Sequence, residues 1–352
     1  MDIGQEYTER QVEALAERLR DAYSEAARDL QRKTEKWIER HEARVRKYRR
    51  QVEEGIITQE DFNAWMQGQL FQKKAWKTRQ IQMIQSMIHA DEIAVGMIND
   101  GMPPIFAEGA NFMGYQLETG GGMDYGFGLY DAPTVRRLLM DDPDLLPRRQ
   151  VDQAKDYAWY NGIMNHVVLQ GILQGESLND MVLRLIEKTG DTAYKAMYRN
   201  VRTAYNGAQN AGRVEGMRHA QSLGLHARKR WIAQMLPNTR DAHAELNGKT
   251  AEIDEPFESL LGPIRYPGDP AADPANVYNC HCTLGYDFPD YPYENGVPWL
   301  DQETGEMVQS MTYEEWKTTK KAHGQSAALS VDELRERLNA RRRAAQQRER
   351  GD

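Results

Sequence analysis

Both cysteines of this 352-residue chain lie in one short turn, Asn279-Cys280-His281-Cys282, and a second histidine, His243, stands upstream within Thr239-Arg240-Asp241-Ala242-His243. Thiolate and imidazole are the ligands zinc prefers, so Cys280, Cys282 and either His243 or His281 are candidate metal ligands. Against this, paired zinc cysteines are usually two residues apart, and here one residue separates them with no second pair elsewhere. A second chemistry makes a cysteine the nucleophile and His243 its base, which also requires an orienting third group and a substrate pocket that the residues do not mark. The third reading is structural. Buried thiols pack as small hydrophobes, while Arg240 and His243 bond backbone carbonyls of the long loop between them and the cysteines. The structural reading leads, so the expectation is no cofactor and no enzyme activity, with zinc at the Cys-His-Cys turn as the alternative.

These residues need elements to position them. Residues 228–235 alternate around Trp231 and Ile232 as a strand does. Asn238 can cap a short helix that places Arg240 and His243, three residues apart, on one face. Asn247-Gly248 ends that helix with a pair suited to positive φ, and Pro267-Gly268-Asp269-Pro270 imposes a further turn. The residues expected to define the module are Trp231, Thr239, Arg240, His243, Gly248, Pro267, Gly268, Asp269, Asn279, Cys280 and Cys282.

Upstream the chain reads as helix. Val12, Leu15, Leu19, Tyr23, Leu30, Val45 and Val52 recur at three- and four-residue steps through a long amphipathic segment that Gly55 interrupts. Thr58-Gln59-Glu60-Asp61 is a capping box opening a second helix to about residue 99, which Gly101-Met102-Pro103-Pro104 is expected to end. The glycine-rich stretch 119–128 lacks the Lys-Ser/Thr and strand-to-helix frame of a phosphate loop, so it reads as a surface loop. Helices resume after Asp131-Ala132-Pro133 and near Arg148. Ser177 caps another that closes near Gly190, and a last one runs from about residue 192 to Gly224, with Lys195, Arg199, Arg202, Arg213 and Arg218 as its solvated face. Beyond Asp287 a Pro/Tyr-rich connector leads to a basic helix begun by Ser330.

The expected fold is mainly α: long N-terminal helices and a helical middle region, with a small α+β C-terminal module. The expected division is 1–100 helical hairpin or arm, 101–147 Gly/Pro-rich connection, 148–226 helical domain, 227–287 α+β module, and 288–352 connector and basic helix. With 28% charged residues and a net charge of −8, the chain is no simple cationic nucleic-acid binder. Its charge is uneven, however. Residues 2–27 are acidic, residues 28–50 basic, and arginines crowd residues 335–350, so Arg46, Lys47, Arg49, Arg50, Arg341, Arg342 and Arg343 are candidate nucleic-acid contacts. Two cysteines so close cannot form a disulfide framework, which fits a reducing place of folding. Neither a secretory leader nor a membrane span is expected.

The series Trp231, Asn238-Thr239-Arg240-Asp241-Ala242-His243, Leu246-Asn247-Gly248, Tyr266-Pro267-Gly268-Asp269-Pro270 and Asn279-Cys280-His281-Cys282 resembles the head morphogenesis domain of the phage Mu F-like family, the minor head proteins of tailed phages. Segments 170–177 and 199–213 look like the helices that precede this motif in siphophage members, and Pro103-Pro104-Ile105-Phe106-Ala107 and Leu129-Tyr130-Asp131 are similar to their middle region. The resemblance covers roughly residues 55–287. The family more often has Cys-Arg-Cys at the cysteine turn, and acidic residues where this chain has Pro237-Asn238. The resemblance implies a procapsid component present in few copies, associated with the portal vertex and carried into the virion, with a role in DNA packaging or ejection. The implied partners are the portal protein, the major capsid or scaffolding protein and, through the basic patches, double-stranded phage DNA; no membrane is involved. An effector enzyme carried in the virion and using Arg240, His243 and Cys282 is the alternative.

Overall fold

The computed structural model describes residues 2–68, 74–122, 124–174, 176, 178–237, 239–289, 299–300, 307–308 and 311–322. In chain order the elements are α1 (Ile3–Glu53), α2 (Gln59–Gln67), α3 (Lys74–Gly121), α4 (Ala132–Asp141), a 3-10 turn (Pro143–Leu145), α5 (Gln153–Leu173), α6 (Leu178–Ser222), β1 (Arg228–Ile232), α7 (Asp241–Ala244), β2 (Thr250–Ala251), β3 (Phe257–Ser259), β4 (Gly262–Ile264), α8 (Pro274–Val277), β5 (Thr283–Asp287), β6 (Trp299–Leu300), β7 (Met307–Val308) and α9 (Tyr313–Ala322). The fold is thus mainly helical with small antiparallel sheets toward the C-terminus, as the apolar periodicities predict. The contacts divide into two units, one of residues 1–12, 98–148 and 200–352, the other of 13–97 and 149–199.

Local signals set several helix ends. Thr58 and Asp61 form the predicted reciprocal capping box on α2, and Asp131 accepts the Thr134 N–H at the start of α4. Gly55 and Gly224 take positive φ where α1 and α6 give way.

Three expectations are corrected. Helix α3 does not end at Pro103-Pro104 but passes through both to Gly121. Each proline removes one backbone donor. The helix persists because Ile98, Met102, Ile105, Phe106, Ala110 and Met113 along it are buried, and that burial outweighs the local break. It also carries helix into stretches expected as connection and loop. Helix α6 likewise runs without a break past Gly190. Finally, Arg202 and Arg213 are not on a solvated face: they are 7% and 0% exposed. Helix α6 is enclosed on all sides there, and each buried guanidinium has an acid, Arg202 with Glu9 at 2.6 Å and Arg213 with Asp2 at 2.6 Å.

In the unit of residues 13–97 and 149–199, helices α1, α3 and α5 meet at a buried carboxylate. Asp91 accepts from the hydroxyls of Tyr23 and, at 2.7 Å, Tyr160. Burial raises its pKa to about 6. Tyr48 of α1 stacks on Trp65 of α2 at 4.0 Å.

In the other unit, α3 and α6 cross backbone to backbone. A methyl on Gly109 would lie 2.3 Å from the Gln209 carbonyl oxygen, and one on Gly212 would lie 2.1 Å from that of Phe106. Helix α9 docks on α3 through Glu118, which accepts from the Trp316 indole at 2.6 Å, the Lys320 ammonium at 3.0 Å and the backbone N–H groups of Tyr125 and Phe127. The three-stranded sheet has the order β2-β1-β5, antiparallel throughout, with Trp231 opposite Leu284 and Arg230 opposite Gly285. On β1, Lys229 and Trp231 face inward, both 0% exposed, while Arg230 and Ile232 face out. Among the described residues, no helix is long and apolar enough to cross a membrane.

Candidate functional site

Strand β1 and the Cys-His-Cys turn bring the chemistry-bearing residues together. The turn leaves Asn279 in the left-handed region at φ 54°, with its N–H donated to Thr203 Oγ1 of α6 at 3.0 Å. In the extended segment that follows, residues two apart share a side. Cys280 and Cys282 therefore face His243 together, with their sulfurs 3.4 and 3.6 Å from its Nδ1. His281 faces the other way, its Nδ1 3.2 Å from Arg202 and 3.9 Å from Glu9. Of the four candidate ligands, the structure gathers three.

His243 sits on the four-residue α7, and its orientation is set from behind. Its Nε2 lies 2.9 Å from Asn276 Oδ1 and 3.0 Å from the Asn276 carbonyl. The Asn276 amide nitrogen donates to Gly262 O at 3.2 Å, which turns its oxygen toward the imidazole. Two acceptors at Nε2 require the proton there, so the Nδ1 lone pair is left facing the sulfurs. The Trp231 ring meets the imidazole edge-on at 5.4 Å. His243, Cys280 and Cys282 are 1%, 3% and 2% exposed.

The two thiols share a proton unequally. The hydrogen bond between the pair pulls the Cys282 thiol well below its usual range, against the effect of burial and with help from the Gln234 backbone N–H. The same bond, with burial, pushes Cys280 up. The direction favours the thiolate form at Cys282. Such a group can ligate a soft metal or attack an electrophile, but its burial keeps bulk substrates out.

The remaining motif residues hold this arrangement in place. Arg240 donates to the Tyr278 carbonyl, and Thr239 Oγ1 bridges Gln234 O and Leu236 N. Gly248, at φ 79°, donates its N–H to Trp231 O at 2.8 Å. Asp269 accepts from Arg265 and from the Ala271 N–H, squaring off the Pro267-Gly268 turn. A methyl on Gly268 would lie 2.7 Å from the backbone of Gly207 on α6, so the turn and the helix touch through two glycines.

Sequence reading missed three buried polar groups here. Asn276 carries no local signal. Asn210 of α6 accepts from Thr283 and the Leu284 N–H and anchors β5. Lys229 was legible in the strand alternation, being two residues from Trp231; it donates to the carbonyls of Ile253 at 3.0 Å and Arg265 at 2.9 Å. Burial brings its pKa down to about 7.

Of the candidate nucleic-acid contacts, Arg46, Lys47 and Arg50 are exposed on α1. Arg49 is half-buried, donating to Glu176 O at 2.7 Å. Arg341, Arg342 and Arg343, the basic helix begun by Ser330, the proposed caps Ser177 and Asn238, and residues 290–293 of the connector lie outside the described residues.

Residues 162–285 match the family described as phage Mu protein F like protein. The chain is 26% identical over 249 residues to the minor head protein GP7 of Bacillus phage SPP1, an alignment covering 69% of this chain and 79% of that one. It is also 30% identical over 200 residues to an NAD(+)--arginine ADP-ribosyltransferase, EFV, of Enterococcus faecalis. That match covers 55% of this chain but only 37% of the transferase. No solved structure matches.

Proposed function

We propose that the chain is a minor capsid protein of the phage Mu F-like family, carried inside a tailed-phage head, on the match of residues 162–285 to that family. In this reading it docks at the portal vertex and assists procapsid assembly and the packaging or ejection of DNA. The observation that carries the reading is the alignment with a phage minor head protein along 79% of that protein's length. The long helices α1 and α3 offer extended surfaces to the portal, major capsid or scaffolding protein. The exposed Arg46, Lys47 and Arg50 offer cations to packaged DNA, while the net charge of −8 limits trapping on the genome.

The role we propose is structural. The motif residues support a packing function: His243, Cys280 and Cys282 are buried, and Arg240 is engaged by a backbone carbonyl. The second reading, an effector enzyme, is favoured by the similarity to the ADP-ribosyltransferase, whose match leaves most of that protein's length uncovered.

Co-expression with the portal protein of the same phage tests the proposal, and a stable co-purifying complex is the expected result. No association with either partner tagged would overturn portal docking. Transfer of label from NAD to host proteins by the purified chain would favour the enzyme. For DNA, replacing Arg46, Lys47 and Arg50 with alanine should flatten the salt dependence of binding by about 0.9 in the logarithmic slope per lost phosphate contact. An unchanged slope would remove this patch from the interface.

A further inference from the structure

The geometry points to a zinc site formed by His243 Nδ1, Cys280 Sγ and Cys282 Sγ, which clamps α7 and the Cys-His-Cys turn onto strand β1. Three observations converge on it. The first is distance. Zinc bonds of about 2.3 Å to sulfur and about 2.0–2.1 Å to nitrogen, at tetrahedral angles, place a sulfur and a nitrogen ligand roughly 3.6 Å apart. The observed separations are 3.4 Å for Cys280 and 3.6 Å for Cys282, and all three donor atoms lie within 4.8 Å of one another.

The second is the arrangement behind the ligands. A zinc-bound histidine characteristically donates its other ring N–H to a carbonyl or carboxylate oxygen, which fixes tautomer and ring angle. His243 Nε2 does this twice over, to Asn276 Oδ1 at 2.9 Å and Asn276 O at 3.0 Å. Asn276 is itself 0% exposed and held by Gly262 O. The Cys280 sulfur also accepts the Cys282 N–H at 3.3 Å, a contact that stabilises a thiolate.

The third is charge. Two thiolates and a neutral imidazole around a divalent cation sum to zero, so the filled site can sit in the interior without a counter-ion. His281 is excluded by its direction, since it faces Arg202 and Glu9. Three protein ligands leave the fourth position to an oxygen donor such as water. Because the three ligands are buried, the site is structural, and binding energy is folding energy for the α+β module.

Elemental analysis of the full chain, purified without chelator, tests this, with about one zinc per chain expected. Substitution by cobalt should give thiolate-to-cobalt charge-transfer absorption. H243A, C280S and C282S should each lose the metal, whereas H281A should keep it. N276A, which leaves all three ligands in place, should weaken zinc affinity by roughly 10–100-fold. Where a ligand variant fails to fold, wild-type protein decides the matter: a high-affinity chelator should strip the zinc and lower the melting temperature, and added zinc should restore it. Folded wild-type protein free of zinc, with no cobalt thiolate band and no shift on zinc addition, overturns the site. So does stoichiometric zinc that survives in folded C280S and C282S, or copper in place of zinc.

Discussion

Adding one methyl group at Gly212 should destabilise the protein, because the new carbon meets backbone. Helices α3 and α6 approach so closely there that the new carbon would lie 2.1 Å from the Phe106 carbonyl oxygen, where ordinary contact begins at 3.4 Å. The obstacle is backbone, so no rotamer change relieves it and the helices must part by ~1.3 Å. A gap of even ~0.5–1 Å forfeits a quarter to a half of each dispersion contact along the crossing, which is lined by the buried Phe106, Ala110, Met113, Ala208 and Ala211. Overpacking of this kind costs about 1–3 kcal/mol and at times more, while alanine returns about 1 kcal/mol of helix propensity. Net destabilisation of up to about 2 kcal/mol is the expectation for Gly212→Ala. Gly96 of α3 supplies the control, because nothing lies within 4 Å of a carbon added there, so Gly96→Ala should stabilise by up to about 1 kcal/mol. Urea denaturation of both variants beside the wild type reads the two shifts, which should have opposite signs. A Gly212→Ala midpoint equal to or above the Gly96→Ala midpoint would refute the reasoning that backbone contact forces glycine at this crossing.

Two further outcomes follow from buried carboxylates. Asp91 has a pKa raised by burial from 3.8 to about 6, so its protonated form is favoured by folding; the stability it contributes is full below pH 3.8 and is lost as pH rises through 6. Relative to Asp91→Asn, the wild type should therefore gain up to about 3 kcal/mol on acidification across that window, and thermal melts showing the opposite slope would count against it. Glu118→Ala should leave the Trp316 indole and the backbone N–H groups of Tyr125 and Phe127 without their acceptor, while Lys320 keeps Asp124 at 2.6 Å, costing roughly 1–3 kcal/mol. Limited proteolysis should then release α9 well before the rest of the chain unfolds, and a wild-type digestion pattern would show that Glu118 is not its anchor.

Much of the architecture is written in short-range pattern. The apolar period of α1, the capping box at Thr58, the Asp131 cap and the alternation of β1 depend on groups a few residues apart, so they can be read from the chain directly. The same holds for the common direction of Cys280 and Cys282, since residues two apart in an extended segment share a side. Tertiary structure decided the rest. Pro103-Pro104 is a strong local stop, yet α3 continues because packing along its length outweighs two lost hydrogen bonds. Arg202 and Arg213 look like solvated charges until Glu9 and Asp2, far off in sequence, are brought against them. Which histidine joins the sulfurs also depends on distant neighbours: Asn276 orients His243, and Arg202 and Glu9 draw His281 away. The sequence by itself determined where the cysteines stand and that a histidine was within reach; only the enclosure of α7, the turn and strand β1 in one buried corner decided that His243, Cys280 and Cys282 face a single point.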